Sequence, residues 1–228
     1  QSVSEIAHQH DAIVIVDNIL ASPILQKPIE LGADIVVYSG TKHIDGQGRS
    51  LGGAILSAKQ HYEEYLKPFI RHTGPTLSPF NAWIQLKGLE TLQLRMKQHC
   101  SNAKKVATYL YQHPQVERII YPDLDSHPQY ELAKKQMTEG GSIVTFDVKN
   151  NKAFEFMNKL NIFDISNNIG DTKSLVTHPA TTTHRVIGDE LRKKLNIYDS
   201  TIRLSIGLED VDELIEDIDT ALKKIQFR

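Results

Sequence analysis

Two hydroxyl side chains and a lysine follow one another at the end of a short apolar run. Residues 34–38 are rich in β-branched residues and predict a buried strand, and Ser39, Thr41 and Lys42 come directly after it. In an open α/β sheet, ligands bind at the carboxyl ends of the strands. Hydroxyls there can donate to phosphate oxygens, and a lysine in a partly desolvated pocket becomes a usable amine nucleophile. The stretch therefore predicts a site for a phosphate-bearing group that reacts with an amine.

Asp17 ends a second apolar run, residues 12–17, which also predicts a buried strand. A carboxylate at the end of such a strand needs a partner, because an isolated buried charge is very costly. A protonated pyridine nitrogen would serve as that partner. A lysine, two hydroxyls and an aspartate together provide what pyridoxal phosphate requires. We therefore predict that this cofactor is bound by Asp17, Ser39, Thr41 and Lys42, with Lys42 as the catalytic residue.

The elements that must position these residues alternate between strands and helices. Over residues 1–90 the order is strand, helix, strand, loop, strand, helix, which predicts an α/β fold with parallel strands. Ser78 and Pro79 are suited to begin a helix that runs to about Gly88. The other elements predicted here are helices over residues 24–31 and 59–69 and a strand over residues 51–56.

A long helix over residues 90–113 separates this part from a second α/β pattern. We place a domain boundary at its start, which predicts one domain over residues 1–90 and another over residues 91–228. A loop rich in Gly, Thr, Ser and Asn follows residue 166. The predicted strands of the second domain are residues 116–121, 142–148, 162–166 and 201–207, and its predicted helices are residues 129–137, 151–160, 189–195 and 210–225.

Composition excludes several classes of function. The formal net charge of 228 residues is only −2, which argues against nucleic-acid or membrane-surface binding. No apolar run approaches the length that crosses a membrane. The single cysteine, Cys100, excludes an intrachain disulfide and favours a reducing compartment, so we expect a cytoplasmic protein. His178 and His184 have no third ligand nearby, and we predict no metal site.

Several short motifs, taken together and in order, make the chain resemble the Cys/Met-metabolism family of pyridoxal-phosphate enzymes. Within that family, residues 42–49 and 74–83 look most like O-succinylhomoserine sulfhydrylases. The motifs are Val16-Asp17-Asn18, Ser39-Gly40-Thr41-Lys42, Ser174-Leu175 with His178-Pro179-Ala180, Thr183-His184, and the run from Ile202 to Asp210.

The resemblance implies a fold-type I transferase, with the later half of a parallel-sheet cofactor domain followed by a smaller C-terminal α/β domain. It also implies that the chain is the C-terminal part of a longer enzyme. It places the Schiff-base lysine at Lys42, the partner of the ring nitrogen at Asp17, and the phosphate-binding hydroxyls at Ser39 and Thr41. It further implies that Arg203 binds the substrate α-carboxylate with help from Ser174.

The activity that the resemblance implies is γ-replacement on an activated homoserine ester, with O-succinylhomoserine and sulfide giving homocysteine. Cystathionine γ-synthase, O-acetylhomoserine sulfhydrylase, cystathionine lyase and methionine γ-lyase remain open, because the same residues serve all of them. So does a non-catalytic fragment that lacks part of the active site. The implied partners are an amino-acid substrate, sulfide or a thiol, and further copies of the chain in a dimer of dimers, hence a homotetramer.

Overall fold

The computed structural model of the protein describes residues 1–225 and has the α/β composition that the sequence predicts. It forms two compact units, Gln1–Gln93 and Leu94–Arg228, each with its own sheet. The division falls within one long helix, α5 (Pro79–Gln112), as does the boundary predicted after residue 90. None of the helices in residues 1–225 is long and apolar enough to cross a membrane.

The first unit contains a three-stranded sheet of β1 (Ile15–Asp17), β2 (Ile35–Ser39) and β3 (Gly53–Ser57), in that order. β1 and β2 are parallel, as predicted, whereas β2 and β3 are antiparallel. The expectation of parallel strands throughout is therefore wrong for β3. Residues 40–52 form a turn and a loop without a crossover helix, and such a connection returns the chain in the opposite direction.

The helices of the first unit also differ from the prediction in two places. The helix predicted over residues 24–31 ends at Leu25, and a separate 3₁₀ turn begins at Pro28, because proline has no amide hydrogen for a helix interior. The two helices predicted on either side of residue 89 are one helix, α5. The remaining segments are α1 (Ser2–His8), α2 (Ser22–Leu25), the 3₁₀ turn Pro28–Leu31, α3 (Lys59–His61), a π turn Tyr62–Leu66, and α4 (Lys67–Thr73).

The second unit contains a five-stranded sheet in the order β4-β5-β8-β7-β6. Neighbouring strands are antiparallel except β6 and β7, which are parallel. β7 was predicted as loop, because three buried residues are too few to show the alternation of a strand. The elements are β4 (Val116–Ile120), α6 (Tyr130–Gln136), β5 (Ile143–Val148), α7 (Ala153–Met157), β6 (Asp164–Ile165), β7 (Leu175–Thr177), α8 (Gly188–Lys194), β8 (Thr201–Ser205) and α9 (Val211–Lys223).

One face of this sheet is part of the core of the second unit. Alternate residues of β5 and β8 are fully buried there, as the pleat of a strand requires. Arg203 therefore points to the opposite face. The core residues from the two strands and from α5 and α9 are Val144, Phe146, Ile202, Leu204, Val106, Leu110, Leu214 and Ile218.

Candidate active site

The carboxyl edge of the β1–β2 pair carries the first group of predicted site residues. Asp17, the last residue of β1, is in parallel register with the third residue of β2. Ser39 is the last residue of β2, and Thr41 and Lys42 follow in the turn Gly40–Ile44. The structure therefore brings all four side chains to one edge of this sheet.

Lys42 lies in a turn whose backbone departs from helical geometry at that residue. A single π turn spans Gly40–Ile44, and Lys42 has φ −91° and ψ −128°. The amide of Gly40 donates to the carbonyl of Gly52 at 2.7 Å, and the amide of Asp45 donates to the carbonyl of Gly40 at 2.9 Å. These bonds fix the backbone on both sides of Lys42, so its half-buried side chain leaves the turn in a defined direction.

The loop after Lys42 is held by a buried carboxylate. Asp45 accepts hydrogen bonds from the amide of Arg49 at 2.5 Å, from Arg49 Nε at 2.9 Å and from the amide of Ser50 at 3.3 Å. Hydrogen bonds to an ionised group are the stronger kind. Gly46 and Gly48 have φ of 72° and 61°, which glycine adopts without strain. The hydrogen bonds to Asp45 therefore fix the ends of this loop relative to each other.

Gly88 allows α5 to approach this turn closely. A Cβ at residue 88 would lie 2.1 Å from the carbonyl oxygen of Ile44, which is too close for any real contact.

We therefore expect Gly88→Ala to lower the free energy of unfolding by about 1–3 kcal/mol, because the turn or the helix must move. In an unconstrained helix the same change would stabilise by about 1 kcal/mol. Urea unfolding measures the difference, with the exposed Lys97→Ala on α5 as the control, expected within about 0.5 kcal/mol of the parent. A Gly88→Ala variant more stable than the parent would contradict the close contact.

The polar groups at this edge match the donors and acceptors that pyridoxal phosphate requires. Thr41 Oγ1 accepts from the amide of Gly52 at 3.3 Å, which leaves its hydroxyl hydrogen for another acceptor. Asp17 is exposed, whereas the sequence predicts that it ends a buried strand. Its Oδ1 accepts from the amide of Ile19 at 3.1 Å, and no cationic side chain in residues 1–225 pairs with the carboxylate. An amine suits the cofactor's aldehyde, hydroxyls its phosphate, and an unpaired carboxylate its protonated ring nitrogen. The residues present therefore fit this cofactor.

Arg203 presents a half-buried guanidinium in the second unit. Its neighbours across the sheet are Thr145 and Thr177. Nη2 donates to the carbonyl of Asn167 at 2.9 Å, whereas Nε is buried without a hydrogen-bond partner. Burial disfavours the charged form and so lowers the pKa of Arg203 from its usual value. The guanidinium makes this one hydrogen bond to a carbonyl, and its remaining donors can bind an anionic ligand.

Ser174, which the resemblance implied would help to bind the substrate carboxylate, contacts a glutamate in this structure. It is fully buried, its amide donates to Glu209 Oε1 at 2.6 Å, and its hydroxyl donates to Glu209 Oε2 at 2.8 Å. The hydroxyl oxygen also accepts from the amide of Gly207 at 2.9 Å. Both donors of Ser174 are therefore occupied by Glu209, and a substrate carboxylate would have to displace that side chain to reach them.

The two histidines that raised the question of a metal make local contacts. His178 is buried between the hydroxyl of Thr181, 2.9 Å from Nδ1, and the carbonyl of Asp199, 3.0 Å from Nε2. His184 Nδ1 lies 2.8 Å from the hydroxyl of Thr183. Across residues 1–225 there is no group of three or more His, Cys, Asp or Glu side chains that could hold a metal ion.

Three residues that our sequence reasoning passed over organise the surroundings of Ser174. These are Glu209, which binds Ser174, and His99 and Asn102, which are fully buried on α5 and contact the backbone of residues 206–209. His99 and Asn102 lie three positions apart, on a helix face that otherwise carries Met96 and Val106. Polar residues at helical spacing on an apolar face are the signal that could have identified them, because such residues are rarely buried without partners.

His99 makes the stability of the fold depend on pH. Burial lowers its pKa to about 4, from an ordinary value of 6.5. The unfolded chain then binds a proton more readily than the folded one, so stability present above pH 6.5 is lost as the pH falls from 6.5 to 4. We expect a loss of about 3 kcal/mol across that window.

Urea unfolding at several pH values measures this loss, with His99→Gln as the comparison. The variant keeps a side-chain donor but has no group that titrates there, so its stability should depend less on pH between 6.5 and 4. An identical pH dependence in the two proteins would contradict the assignment.

Comparison with known proteins finds similar sequences that match almost the whole chain. The profile of the family described as "Cys/Met metabolism PLP-dependent enzyme" matches residues 1–223. An O-succinylhomoserine sulfhydrylase of Mycobacterium tuberculosis is 53% identical over 227 residues, 97% of this chain and 56% of that protein. An L-methionine γ-lyase of Fusobacterium nucleatum subsp. polymorphum is 40% identical over 231 residues, 99% of this chain and 58% of that protein.

A solved structure agrees with these sequence matches. The crystal structure of a cystathione γ-lyase from Micromonospora echinospora superposes with a TM-score of 0.95 at 36% identity, covering 98% of this chain and 59% of that one. This chain therefore spans a little more than half the length of the relatives it matches. The matches confirm the predicted fold class and the predicted cofactor, pyridoxal phosphate: the chain belongs to the Cys/Met-metabolism family of pyridoxal-phosphate-dependent enzymes.

Proposed function

We propose that the protein carrying this chain catalyses γ-replacement on an activated homoserine ester, converting O-succinylhomoserine and sulfide to homocysteine and succinate. The observation that carries this proposal is the difference in identity between two groups of relatives. O-succinylhomoserine sulfhydrylases of Mycobacterium tuberculosis and Pseudomonas aeruginosa are 53% and 46% identical to it, whereas the methionine γ-lyase of Fusobacterium nucleatum subsp. polymorphum is 40% identical.

The side chains at the edge of the β1–β2 pair are proposed to bind the cofactor and to move protons. Pyridoxal phosphate, when bound, supplies an electron sink that stabilises negative charge on the substrate carbons. The carboxylate of Asp17 holds the proton on the ring nitrogen, and the hydroxyls of Ser39 and Thr41 donate to the phosphate. The amine of Lys42 holds the cofactor covalently before substrate enters, and then carries protons from substrate Cα and Cβ.

Arg203 is proposed to bind the α-carboxylate of the amino acid. Its half-buried guanidinium makes one hydrogen bond, to the carbonyl of Asn167, and a carboxylate would supply acceptors for its other donors together with a negative charge. Once Lys42 has removed protons from Cα and Cβ, the Cγ–O bond breaks and succinate leaves. Sulfide then adds at Cγ, and the protons return to Cβ and Cα. We assign Ser174 to the support of this region, because Glu209 occupies its donors.

γ-Elimination is the second candidate, and it is supported by the γ-lyases among the relatives and matched structures. Product analysis separates the two. The purified protein is incubated with pyridoxal phosphate, O-succinylhomoserine and sulfide, and homocysteine and 2-oxobutanoate are quantified. We expect homocysteine to predominate. Formation of 2-oxobutanoate with no homocysteine would assign the protein to the lyases. Activity on O-acetylhomoserine but not on O-succinylhomoserine would show that the substrate is the acetyl ester.

We further propose that the protein is a homo-oligomer, a dimer of dimers, and that it acts in the cytoplasm. Support for association comes from large apolar side chains on α4 and α5, since Phe69, Phe80 and Trp83 are 63%, 66% and 56% exposed. Burying such aromatic side chains is a common source of association energy. Light scattering of the purified protein should give four times the mass of one chain, and a monomer would refute the proposal.

A further inference from the structure

Residues 167–174, here called the strap, are bound to β8 and to the residues that follow it. Arg203 Nη2 donates to the carbonyl of Asn167 at 2.9 Å. The amide of Gly170 donates to Ser205 Oγ at 3.0 Å. Further along, the amide of Leu208 donates to the carbonyl of Thr172 at 2.8 Å. The strap is therefore tied to residues 203–208 along most of its length.

The carboxylate of Glu209 holds the end of the strap. Its two oxygens accept from the amide and the hydroxyl of Ser174 at 2.6 and 2.8 Å, and Ser174 is fully buried. The hydroxyl oxygen of Ser174 accepts in turn from the amide of Gly207 at 2.9 Å. A Cβ at Gly207 would lie 2.3 Å from Glu209 Oε2 and 2.4 Å from the carbonyl oxygen of Thr172, so the strap and residues 207–209 touch closely.

Helix α5 holds residues 206–209 from another direction. Asn102 Nδ2 donates to the carbonyls of Gly207 and Glu209 at 3.1 and 2.9 Å. His99 Nδ1 lies 2.7 Å from the carbonyl of Ile206, so we assign it as the donor there. Both side chains are fully buried, where hydrogen bonds are not weakened by water. The backbone around Glu209 is thus fixed, and its side chain is a rigid anchor for the strap.

We propose that Glu209 is a positioning residue for the substrate carboxylate, and that it acts through the strap. Holding Ser174 fixes the strap, which fixes the carbonyl of Asn167. That carbonyl orients the guanidinium of Arg203 by accepting from Nη2, and thereby sets the direction in which the other guanidinium donors face a carboxylate. A small displacement of a bound carboxylate weakens both hydrogen bonds of a bidentate pair, because their strength depends on the angle at the hydrogen. The inference rests on the proposed role of Arg203 as the carboxylate-binding residue.

Glu209→Gln is the variant that tests this role in the full-length protein loaded with pyridoxal phosphate. The amide has one acceptor where the carboxylate has two, and its NH₂ group would face a donor of Ser174. We expect KM for O-succinylhomoserine to rise about tenfold, which corresponds to one lost hydrogen bond to a charged group, while kcat changes by less than about twofold. A KM within twofold of the parent would overturn the inference.

Asp217→Asn is the matched control. The carboxylate of Asp217 is buried where Glu209 is half-buried, and like Glu209 it accepts from the backbone, here from the amides of Asn161 at 3.0 Å and Ile162 at 2.9 Å. It has no hydrogen bond to the strap. Asp217→Asn should therefore destabilise the fold as Glu209→Gln does, with KM unchanged. A rise in KM equal to that of Glu209→Gln would mean that loss of stability alone explains the effect, and would overturn the inference.

A double-mutant cycle with Arg203→Lys shows whether Glu209 acts through Arg203. If it does, Glu209→Gln should add little to the loss in kcat/KM already caused by Arg203→Lys, because the group being positioned is gone. Independent, multiplicative losses would contradict action through Arg203.

Binding without turnover separates this inference from the proposed reaction. Calorimetry with L-methionine and with 3-(methylthio)propylamine, which lacks the carboxylate, gives the preference for a carboxylate. We expect that preference to fall about tenfold in Glu209→Gln even if the parent protein proves to be a lyase. A parent that binds the two compounds equally would refute the role of Arg203 and this inference with it.

Discussion

Lys42→Ala should abolish the covalent capture of pyridoxal phosphate and lower kcat by about 10³-fold or more. Alanine removes both the amine that bonds the cofactor and the group that carries protons from the substrate. The turn around residue 42 is fixed by backbone bonds from Gly40 and Asp45, so a smaller side chain should leave it folded. No other residue of the turn Gly40–Ile44 carries an amine, which is why we expect so large an effect.

Borohydride reduction followed by peptide mass mapping measures the covalent bond directly. In the parent, we expect the mass of a reduced pyridoxyl-phosphate group on the peptide that contains Lys42. Lys59→Ala is the control, because Lys59 is an exposed lysine of the same unit, and this variant should retain both the adduct and the activity. An adduct on another lysine in the parent, or full activity of Lys42→Ala, would show that the assignment is wrong.

The sequence predicted where β1 and β2 end, because that information is local, but it was wrong in predicting that β1 is buried. A β-branched run followed by hydroxyls and a lysine marks both a strand and its end, and the parallel register confirms that Asp17 shares that edge. The direction of β3 was not predictable in the same way. The apolar pattern of a strand is the same whether it pairs in parallel or antiparallel with its neighbour. Only the path of residues 40–52 determines the direction of β3.

Ser174 shows why the contacts in the rest of the candidate site could not be predicted from the sequence. Its partner, Glu209, is 35 positions away in the chain, and neither residue carries a local signal of the other. The same holds for the carbonyl of Asn167, which lies 36 positions before Arg203 and orients its side chain. Contacts over such separations follow from the order of strands in the sheet, and periodicity in one segment does not contain that order.

Arg203→Lys should lower kcat/KM for the amino-acid substrate by about 10²-fold, although it keeps a positive charge. A guanidinium can donate to the carbonyl of Asn167 and still offer a planar pair of donors to a carboxylate, whereas a single ammonium cannot reproduce that fork. The expected loss corresponds to about 3 kcal/mol, the upper range for a hydrogen bond to a charged group. Arg118→Lys is the control, because Arg118 lies in the same sheet and pairs with Asp147 through Nε at 2.7 Å. It should leave kcat/KM unchanged.

The pH dependence of kcat/KM in Arg203→Lys distinguishes the loss of the group that binds the substrate carboxylate from a general loss of structure. Burial already lowers the pKa of the guanidinium at residue 203, and the same burial would lower the pKa of an amine placed there. Arginine remains charged throughout the accessible range, but a buried amine loses its proton as the pH rises through its lowered pKa. The ratio of parent to variant kcat/KM should therefore increase between about pH 7 and 10. This range lies below the ordinary lysine pKa of about 10.4, because burial moves the titration of an amine to lower pH. A ratio that is constant across that range would mean that the introduced amine is hydrated, and that residue 203 is not the half-buried carboxylate-binding group proposed here.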